Sequence, residues 1–366
     1  MTWEFRSVIF LLSLCCSGIS GRAEDEATRL ERLLPDKTDA AIAHGVNYLI
    51  SRQSKEGLFQ DPERGPNNSA ALTALSMLAF CSVGHMPADA TREGDSVRYA
   101  LTFILREERQ EADGYFGRKD GSRMSGHGII TLALSELTGM AASREQDRTL
   151  RERCSKAIAL IIRSQATPKS DPKFIGGWRN EPESADADLS VTVWQLQALL
   201  SARKSGYAVP QASLDLAFAY IKRSYKSERN PAGVALNLKS ACAYQPGGDP
   251  EFVTAASGLL SLQLGGFMES PEAIGSREWL RTQKPTYESN WFIYGNYCYV
   301  QAFASRAGEI DRQAYLFTES SLLPHQSPDG SWLAANAQER DAGRIYGTAM
   351  AILNLSAKFH YLPVFR

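Results

Sequence analysis

A nine-residue frame that recurs along the chain constrains the fold more than any other feature of this sequence. Apolar residues within each copy fall three and four positions apart, which predicts an amphipathic helix with one face toward water. Five copies read GVNYLISRQ, TFILREERQ, AIALIIRSQ, GSREWLRTQ and TESSLLPHQ, and they end at Gln53, Gln110, Gln165, Gln283 and Gln326. A sixth copy, AFAYIKRSY, ends at Tyr225 in place of glutamine. The pattern predicts six related helices.

A second frame follows each copy of the first and begins with a small residue. Its copies are apolar almost all round, and a helix of that kind must be enclosed by other elements. They read SAALTAL, GIITLAL, SVTVWQL, TAASGLL, GNYCYVQ and GTAMAIL, and they begin at Ser69, Gly128, Ser190, Thr254, Gly295 and Gly347. Each repeat therefore predicts one outer helix and one buried inner helix.

The six repeats are predicted to close into a ring. An open stack of repeats needs polar faces at both ends, but the first and last inner segments, residues 71–80 and 349–355, are as apolar as the middle ones. Closure buries both of them. The sequence thus predicts an all-α protein, an (α/α)6 toroid, which is a closed ring of six helical hairpins over residues 36–362. Residues 24–35 form an N-terminal extension, and residues 363–366 form a C-terminal tail.

Glutamine, glycine and an aromatic residue recur in the turn between the two helices of a repeat. The pattern Gln-x3-Gly-x-aromatic occurs three times, and the third repeat has the same elements stretched. Glycine permits a tight turn, the aromatic ring covers the hairpin end, and the amide bonds free backbone groups at a helix terminus. We interpret these residues as a structural clamp. They are Gln53, Gly57, Phe59, Gln110, Gly114, Phe116, Gln165, Gly177, Trp178, Gln326, Gly330 and Trp332.

These turns and paired frames resemble the squalene-hopene cyclase branch of the terpene cyclase and prenyltransferase superfamily. The resemblance covers nearly the whole chain after residue 23, and it implies an α/α toroid braced by its repeats. Such cyclases protonate a polyene with an Asp-x-Asp-Asp motif, and the nearest match here is Asp186-Ala187-Asp188-Leu189. The resemblance makes Asp188 the proton donor with Asp186 beside it, although Leu189 replaces the last aspartate. The residues themselves favour another role for Asp188, the N-cap of the helix that follows, which aspartate fills routinely.

Polar and aromatic residues gather where the inner helices are predicted to begin, and these positions converge at one end of a ring. His127 is a candidate acid or base near neutral pH. Five aromatic residues and one arginine are candidates for binding an apolar ligand or sugar rings. They are Trp194, Trp291, Tyr294, Tyr297, Arg344 and Tyr346. In the alternative interpretation, His127 and the tyrosines fill the core with their polar tips bonded locally.

The N-terminal residues indicate export. Residues 1–6 are a short polar start and residues 7–20 are a mostly apolar run, which is typical of a signal peptide. The run is shorter than the roughly 20 residues that span a bilayer, and small residues precede Glu24. The sequence predicts cleavage after residue 23, a periplasmic or extracellular location, and a mature chain without a transmembrane segment.

Charge and cysteine usage argue against several classes of protein. The chain has 40 basic and 41 acidic residues, and without a basic patch it lacks the electrostatic footprint of a nucleic-acid binder. After residue 23 four cysteines remain, with no metal-binding spacing, so we expect neither a metal nor a cofactor. Each lies in an apolar helical pattern, where a free cysteine behaves as a small hydrophobe, although disulfides stay open. The four are Cys81, Cys154, Cys242 and Cys298.

Three functions stay open, and the sequence decides neither whether the chain is an enzyme nor its oligomeric state. In the first, the central cavity binds a long apolar, isoprenoid-type molecule, with Asp188 as the acid if the ligand is cyclised or isomerised. In the second, the toroid is a non-catalytic scaffold for a protein partner. In the third, it is a glycan-active enzyme that pairs Asp186 or Asp188 with Glu183.

Each function requires a different interior. An isoprenoid binder needs a deep cavity walled by aromatic residues. A glycan-active enzyme needs an open cleft with two carboxyl groups facing each other. A scaffold needs a filled centre and an apolar patch on its outside.

The export hypothesis predicts that the mature protein begins near Glu24. Expression of the full-length chain in a bacterial host, followed by N-terminal sequencing of the released protein, checks this. A protein that retains Met1, or one that stays with the membrane after carbonate washing, would contradict it.

Overall fold

Twelve helices of eleven residues or more dominate the computed structural model, which describes residues 36–61, 67–304 and 311–365. The predicted signal peptide and extension, residues 1–35, lie outside the described residues. Between the helices, the described residues form short helical turns and isolated backbone bridges but no β-strand. The helices are α1 Lys37–Ser51, α2 Ser69–Ser82, α3 Arg92–Ile104, α4 Arg123–Leu137, α5 Arg144–Gln165, α6 Leu189–Lys204, α7 Gln211–Ser224, α8 Phe252–Leu264, α9 Pro271–Thr282, α10 Phe292–Ala302, α11 Arg312–Leu322 and α12 Gly343–Leu355.

The even-numbered helices form an inner ring and the odd-numbered helices surround it. Every residue of α2 except Leu72 is buried, whereas α3 buries one face and exposes the other. Each inner helix packs against the next one, and α12 packs against α2, so the ring is closed. The predicted (α/α)6 toroid is confirmed. The described residues from Lys37 onward form one compact unit.

Small residues in the inner helices mark close helix contacts and not the helix starts. Ser69 is the first residue of α2, but Gly128 lies well inside α4, which begins at Arg123. A Cβ on Gly128 would lie 2.9 Å from the Cβ of Trp194 in α6. The predicted second frames therefore lie within the inner helices but begin at different distances from the helix starts. The frames were aligned on their small first residues, and each of these residues makes room for a different helix contact.

The glutamine at the end of an outer helix binds its own turn and the next outer helix. Gln53 Nε2 donates to the carbonyls of Gly57 at 3.0 Å and Ser96 in α3 at 2.9 Å. Three other repeats have the same two bonds at 2.9 to 3.0 Å. The acceptors are Gly114 and Arg153 for Gln110, Gly176 and Ser213 for Gln165, and Gly330 and Ala41 for Gln326.

Glycine is required in these turns because the next outer helix lies directly against it. Gly57 has a φ of 94°, and a Cβ there would lie 2.1 Å from the carbonyl oxygen of Tyr99. In the third repeat Gly176 occupies this position, with a φ of 91° and the carbonyl that Gln165 binds. The sequence prediction placed Gly177 there. Gly176 keeps the two-residue spacing to the aromatic Trp178 that the other turns have, so the extra residues of the stretched turn lie before it. Gly177 instead packs closely on Tyr220.

The turn aromatics join the turn to the inner helix of the same repeat. The side chains of Phe59, Phe116, Trp178 and Trp332 are all buried. The backbone N–H groups of Phe59, Trp178 and Trp332 each donate at 3.0 Å to a threonine hydroxyl on the inner helix. The indole N–H groups of Trp178 and Trp332 also donate to carbonyls at the end of the preceding outer helix.

Repeats four and five close differently. Tyr225 takes the place of the glutamine, and its hydroxyl donates to the Asn237 carbonyl at 2.6 Å while its ring lies against Gly275 of α9. The Gln283 amide reaches only local partners, Trp279 O at 3.4 Å and the Thr282 hydroxyl. No Gly-x-aromatic turn follows either residue in the sequence, so neither repeat has the hydrogen bond from a glutamine amide to a turn glycine.

The four cysteines predicted to remain in the mature chain are free and buried. Three of them lie in helices, as expected from their apolar surroundings. Cys242 is different, because it follows α7 in an extended segment that pairs with Tyr225.

Residues after α12 cross the ends of the inner helices. The N–H of Val364 donates to the Glu136 carboxylate of α4 at 3.0 Å. The ammonium group of Lys204 in α6 donates to the carbonyls of Pro363 and Val364, both at 3.0 Å. The predicted tail, so far as it is described, therefore packs against the end of the ring where the inner helices finish.

Replacing Gln326 by alanine should destabilise the toroid, because this amide joins repeat six to repeat one. Two hydrogen bonds contribute about 1–3 kcal/mol to the free energy of unfolding. Urea denaturation measures the loss. The control is Gln283→Ala, which removes only local bonds and should cost about 0.5 kcal/mol or less. Equal losses in the two variants would show that the amide of Gln326 does not hold the closure.

Candidate functional site

The end of the ring where the inner helices begin is lined by buried carboxylates. Asp120 accepts from the backbone N–H groups of Ala70 at 2.7 Å and Ala71 at 3.1 Å, in the first turn of α2. Asp120 belongs to the second repeat, so it caps the inner helix of the repeat before it. A carboxylate at a helix N-terminus satisfies free donors and interacts favourably with the helix dipole.

The same arrangement recurs at two more inner helices. Glu339, in the short helix Ala337–Arg340 of repeat six, accepts from the N–H groups of Ile293 at 3.0 Å and Tyr294 at 2.9 Å in α10. Asp61 of repeat one accepts from the N–H of Arg344 in α12 at 2.8 Å. Repeats two, six and one thus each cap the inner helix of the preceding repeat, and the Asp61 contact does so across the closure.

Asp188 caps its own helix, α6. Its carboxylate accepts from Val191 N at 2.8 Å and from the Ser190 hydroxyl at 2.7 Å. The second oxygen accepts from Arg179 Nη1 at 2.7 Å and from the Tyr244 hydroxyl at 3.0 Å. With a side chain that is 1% exposed, Asp188 is a fully engaged acceptor.

Asp186 contacts the same arginine, Arg179, but its side chain is partly exposed to solvent. Its carboxylate is 3.4 Å from Arg179 Nε and about two-fifths exposed. One guanidinium thus contacts both aspartates of the cyclase-like motif. Glu183, the third carboxylate of the glycan hypothesis, is exposed.

The His127 side chain bridges two backbone groups inside the protein. Its ring is fully buried in α4, with Nδ1 accepting from Phe116 N at 3.3 Å and Nε2 lying 3.1 Å from the Ala157 carbonyl. It occupies the place that threonine has in the other clamps. Burial lowers the pKa of His127 to about 4, so the ring is neutral, accepting through Nδ1 and donating through Nε2.

Three of the predicted ligand-binding aromatics meet in the centre of the ring. The ring of Trp194 in α6 stacks on Tyr294 and Tyr297 of α10, with centroid distances of 5.6 and 6.1 Å. All three side chains are buried, and burial raises the pKa of both phenols well above its usual range. Because α8 lies between α6 and α10 in the ring, this buried stack reaches across the centre of the ring.

The remaining predicted ligand residues lie apart from that stack or are already bonded. Tyr346 donates through its hydroxyl to Glu339 at 2.9 Å. Arg344 donates to the hydroxyls of Ser327 and Ser331 in the turn of repeat six. Trp291 precedes α10 with a left-handed φ of 54° and is 41% exposed. The structure thus gathers the inner-helix aromatics and leaves Trp291 at the surface.

The capping carboxylates Asp61, Asp120 and Glu339 were not identified from the sequence. Each is an acidic residue two to seven positions after the aromatic residue of a turn. That spacing is a usable signal once the turns are known. The helix that each carboxylate caps is in another repeat, however, so the spacing alone does not reveal the partner.

Neither a metal site nor a membrane span emerges from the described part of the chain. No group of three histidine, cysteine or acidic side chains there is arranged to hold a metal ion. None of the helices within it has the length and apolar character needed to cross a bilayer.

No family model matches this chain, and no curated protein matches its sequence. Solved structures do match its fold. An inactive variant of an α-1,6-mannanase from Salegentibacter, in complex with α-1,6-mannotetrose, is 10% identical with a TM-score of 0.57, covering 88% of this chain and 98% of its own. A type II terpene cyclase from Scytonema, in complex with geranylgeranyl dihydroxybenzoate, is 14% identical with a TM-score of 0.52, covering 89% of this chain and 98% of its own. A protein from Actinoplanes is 15% identical with a TM-score of 0.52 over 88% and 99%.

These similarities establish the architecture that the sequence resemblance implied. The chain has the (α/α)6 toroid found in terpene cyclases and in glycosidases. At identities of 15% and below, the likeness shows the fold alone.

His127 makes the stability of the toroid depend on pH. Its folded pKa of about 4 lies below the usual value of about 6.5, so between these values the unfolded chain binds more protons and stability falls as pH falls. Between pH 7 and pH 4.5 the loss due to His127 should be roughly 2–3 kcal/mol. Urea denaturation at both pH values measures it.

The matched variant is His127→Gln, which keeps one acceptor and one donor without a titrating ring. Its stability should fall less over the same pH interval, by the His127 contribution. If both proteins lose the same free energy, His127 is not buried in its neutral form.

Proposed function

We propose that this chain is an exported, non-catalytic binding protein that uses a toroid-enzyme fold as a rigid scaffold and binds a protein partner on its outer rim. Of the three functions that the sequence left open, this one requires a filled centre and an outer apolar patch. The filled centre is the observation that carries the proposal.

The central stack occupies the space in which a ligand would otherwise be processed. Trp194 lies against both Tyr294 and Tyr297. Tyr297 is covered on another side by Phe365, whose ring meets it edge-on at 6.4 Å, and its hydroxyl donates to Gln197 at 3.2 Å. A cyclase or isomerase needs this volume for its substrate, whereas a scaffold gains stability from packing it.

The contacts of Asp188 favour a cap over an acid. A general acid must direct its own O–H toward the substrate. The Asp188 carboxylate instead accepts from a backbone N–H, a serine, a tyrosine and the Arg179 guanidinium. The two protein hydroxyls and the two N–H donors occupy the lone pairs that a proton and a substrate would need.

The carboxylates also lack the arrangement of a glycosidase pair. In glycoside hydrolases two carboxyl groups flank the bond that breaks. Here Asp186 and Asp188 contact one guanidinium, and Asp61, Asp120 and Glu339 bind helix ends. These contacts give the acidic residues structural roles.

The outer surface supplies the apolar patch. Between α7 and α8 the chain forms an extended loop in which Val234, Leu236 and Leu238 are exposed by 43%, 59% and 48%. Exposed apolar side chains that lie close together mark sites of interaction. The scaffold interpretation therefore has both features it requires.

A second candidate is retention of an apolar isoprenoid-type ligand, which the aromatic character of the centre favours. Withdrawal of the segment Pro363–Phe365 from the inner helices would uncover Tyr297 and the stack beyond it. The ligand would then lie among aromatic rings without being chemically changed.

Asp188→Asn tests the proposal against catalysis, because asparagine caps a helix nearly as well as aspartate but cannot act as an acid. Wild type and variant are incubated with polyprenyl substrates and α-1,6-linked mannooligosaccharides, and products are measured by mass spectrometry. We expect no conversion by either protein, and a loss of about 1–2 kcal/mol in the unfolding free energy of the variant. Conversion by wild type that disappears in the folded variant would overturn the proposal.

The same samples address the second candidate. A melting temperature of wild type that rises with geranylgeraniol, without product formation, would favour retention of an apolar ligand over the scaffold role.

A further inference from the structure

A groove of about 730 Å³ lies on the outer rim beside the extended loop of repeat four. One wall is formed by residues 226–229 and the other by Leu236 and Asn237, which run in the opposite direction in the same loop. Tyr225, Pro246 and Gly247 complete it. Its lining includes none of the residues of the central stack.

Arg223 contributes an uncompensated positive charge to this groove. It is half-buried, and its guanidinium donates to two backbone carbonyls, those of Ile175 and Lys173. Among the described residues, no carboxylate lies within ion-pair distance of it. Burial and the nearby Arg229 both lower the pKa of Arg223. A cation taken partly out of water without an anionic partner is costly, and an anion placed in the groove would relieve that cost.

The surrounding segment is basic. Residues 222–239 contain five lysine and arginine residues and a single acidic residue, Glu228. Arg229 is already paired with the buried Glu272 at 2.8 Å, and Lys226 is paired with Asp249 at the surface. Of the cations that line the groove, Arg223 is therefore the one without a carboxylate partner among the described residues, and it can bind an anionic ligand.

An apolar row adjoins this cation. Val234, Leu236 and Leu238 occupy alternate positions of the loop and are exposed, while Ala235 between the first two is buried. In an extended chain, residues two apart are separated by about 6.8 Å. A second extended chain lying alongside would present its own alternate side chains at the same intervals.

We propose that this groove, formed by Arg223, Tyr225, Arg229, Leu236 and Pro246, binds an extended acidic segment of a partner protein. A carboxylate of the segment binds the Arg223 guanidinium, and its alternate apolar side chains pack on the row from Val234 to Leu238. This names the partner chemistry of the proposed scaffold and rests on that function.

Charge and shape together favour this occupant. A guanidinium binds a carboxylate through two parallel hydrogen bonds, which gives both strength and orientation. The groove is walled on two sides, which suits a single extended chain. The apolar row is periodic, which suits side chains and not a compact ligand.

The test uses fluorescein-labelled peptides with the full mature chain. One peptide alternates aspartate and valine over eight residues, and its counterpart alternates lysine and valine. Fluorescence polarisation at low salt should show binding of the acidic peptide and at least tenfold weaker binding of the basic one. Arg223→Gln should weaken binding of the acidic peptide about tenfold or more, and Leu236→Ser about fivefold.

Arg163→Gln is the matched control. Arg163 stands at the same frame position in repeat three, two residues before Gln165, and donates to the turn carbonyl of Asp113 at 2.7 Å. It is exposed and lies outside the groove. Its variant should bind the acidic peptide within twofold of wild type, and melting temperatures of all variants verify folding.

Equal affinity for the two peptides, or unchanged binding by Arg223→Gln, would overturn the proposal. A second measurement tests binding to vesicles of one part phosphatidylglycerol to three parts phosphatidylcholine. If the protein shows no preference between the peptides, and Arg223→Gln abolishes binding to these vesicles, the surface serves a membrane and the proposal is overturned. These outcomes differ from those of the catalysis test. Product formation would contradict the scaffold role itself, whereas the absence of peptide binding alone would contradict only the proposed role of this groove.

Discussion

One side-chain amide, placed four times around the ring, holds successive repeats together. Its two bonds run to a carbonyl of its own turn and to a carbonyl of the next outer helix, and the turn glycine allows that helix to approach. Because both acceptors are backbone groups, the geometry is nearly independent of the surrounding sequence. The pairing of inner helices, the depth of the turn aromatics and the position of each capping carboxylate all depend on this spacing between repeats.

The toroid uses its interior for stability. At one end, carboxylates from neighbouring repeats cap the inner helices, and at the other end residues 363–365 cover them. Between the two, Trp194 spans the centre with two tyrosines. These buried rings add packing contacts across the ring, and in the proposed scaffold role recognition belongs to the outer loops.

The fold could be predicted from the sequence because its determinants are local and repeated. Helical spacing and the Gln-x3-Gly-x-aromatic turn are both visible within a few residues, and the ring followed from the apolar ends. In repeat three two adjacent glycines follow the stretched segment, and the prediction chose Gly177, although Gly176 has the spacing to Trp178 that the other turns share. The N-cap role of Asp188 is local and could be proposed from the sequence, but its Tyr244 contact and the partners of Asp120 and Glu339 depend on which elements become neighbours. The packing of the central aromatic residues depends on rotamers. Periodicity specifies neither.

Because the ring is closed, repeats one and six contact each other in the same way as repeats that are consecutive in the sequence. Lys358, just beyond α12, contacts Asp39 of α1 at 2.8 Å. The amide of Gln326 donates to the Ala41 carbonyl of α1, as the other clamp glutamine amides do to the outer helix of the next repeat. Contacts that complete the ring therefore join residues almost 300 positions apart, so folding carries a large loop-closure entropy and finishes only when both ends are present. Because α1 contacts the segment that follows α12, a linker between these two segments would allow circular permutation, with new termini in the loops of repeats four and five, where no glutamine amide bridges the turn to the next helix.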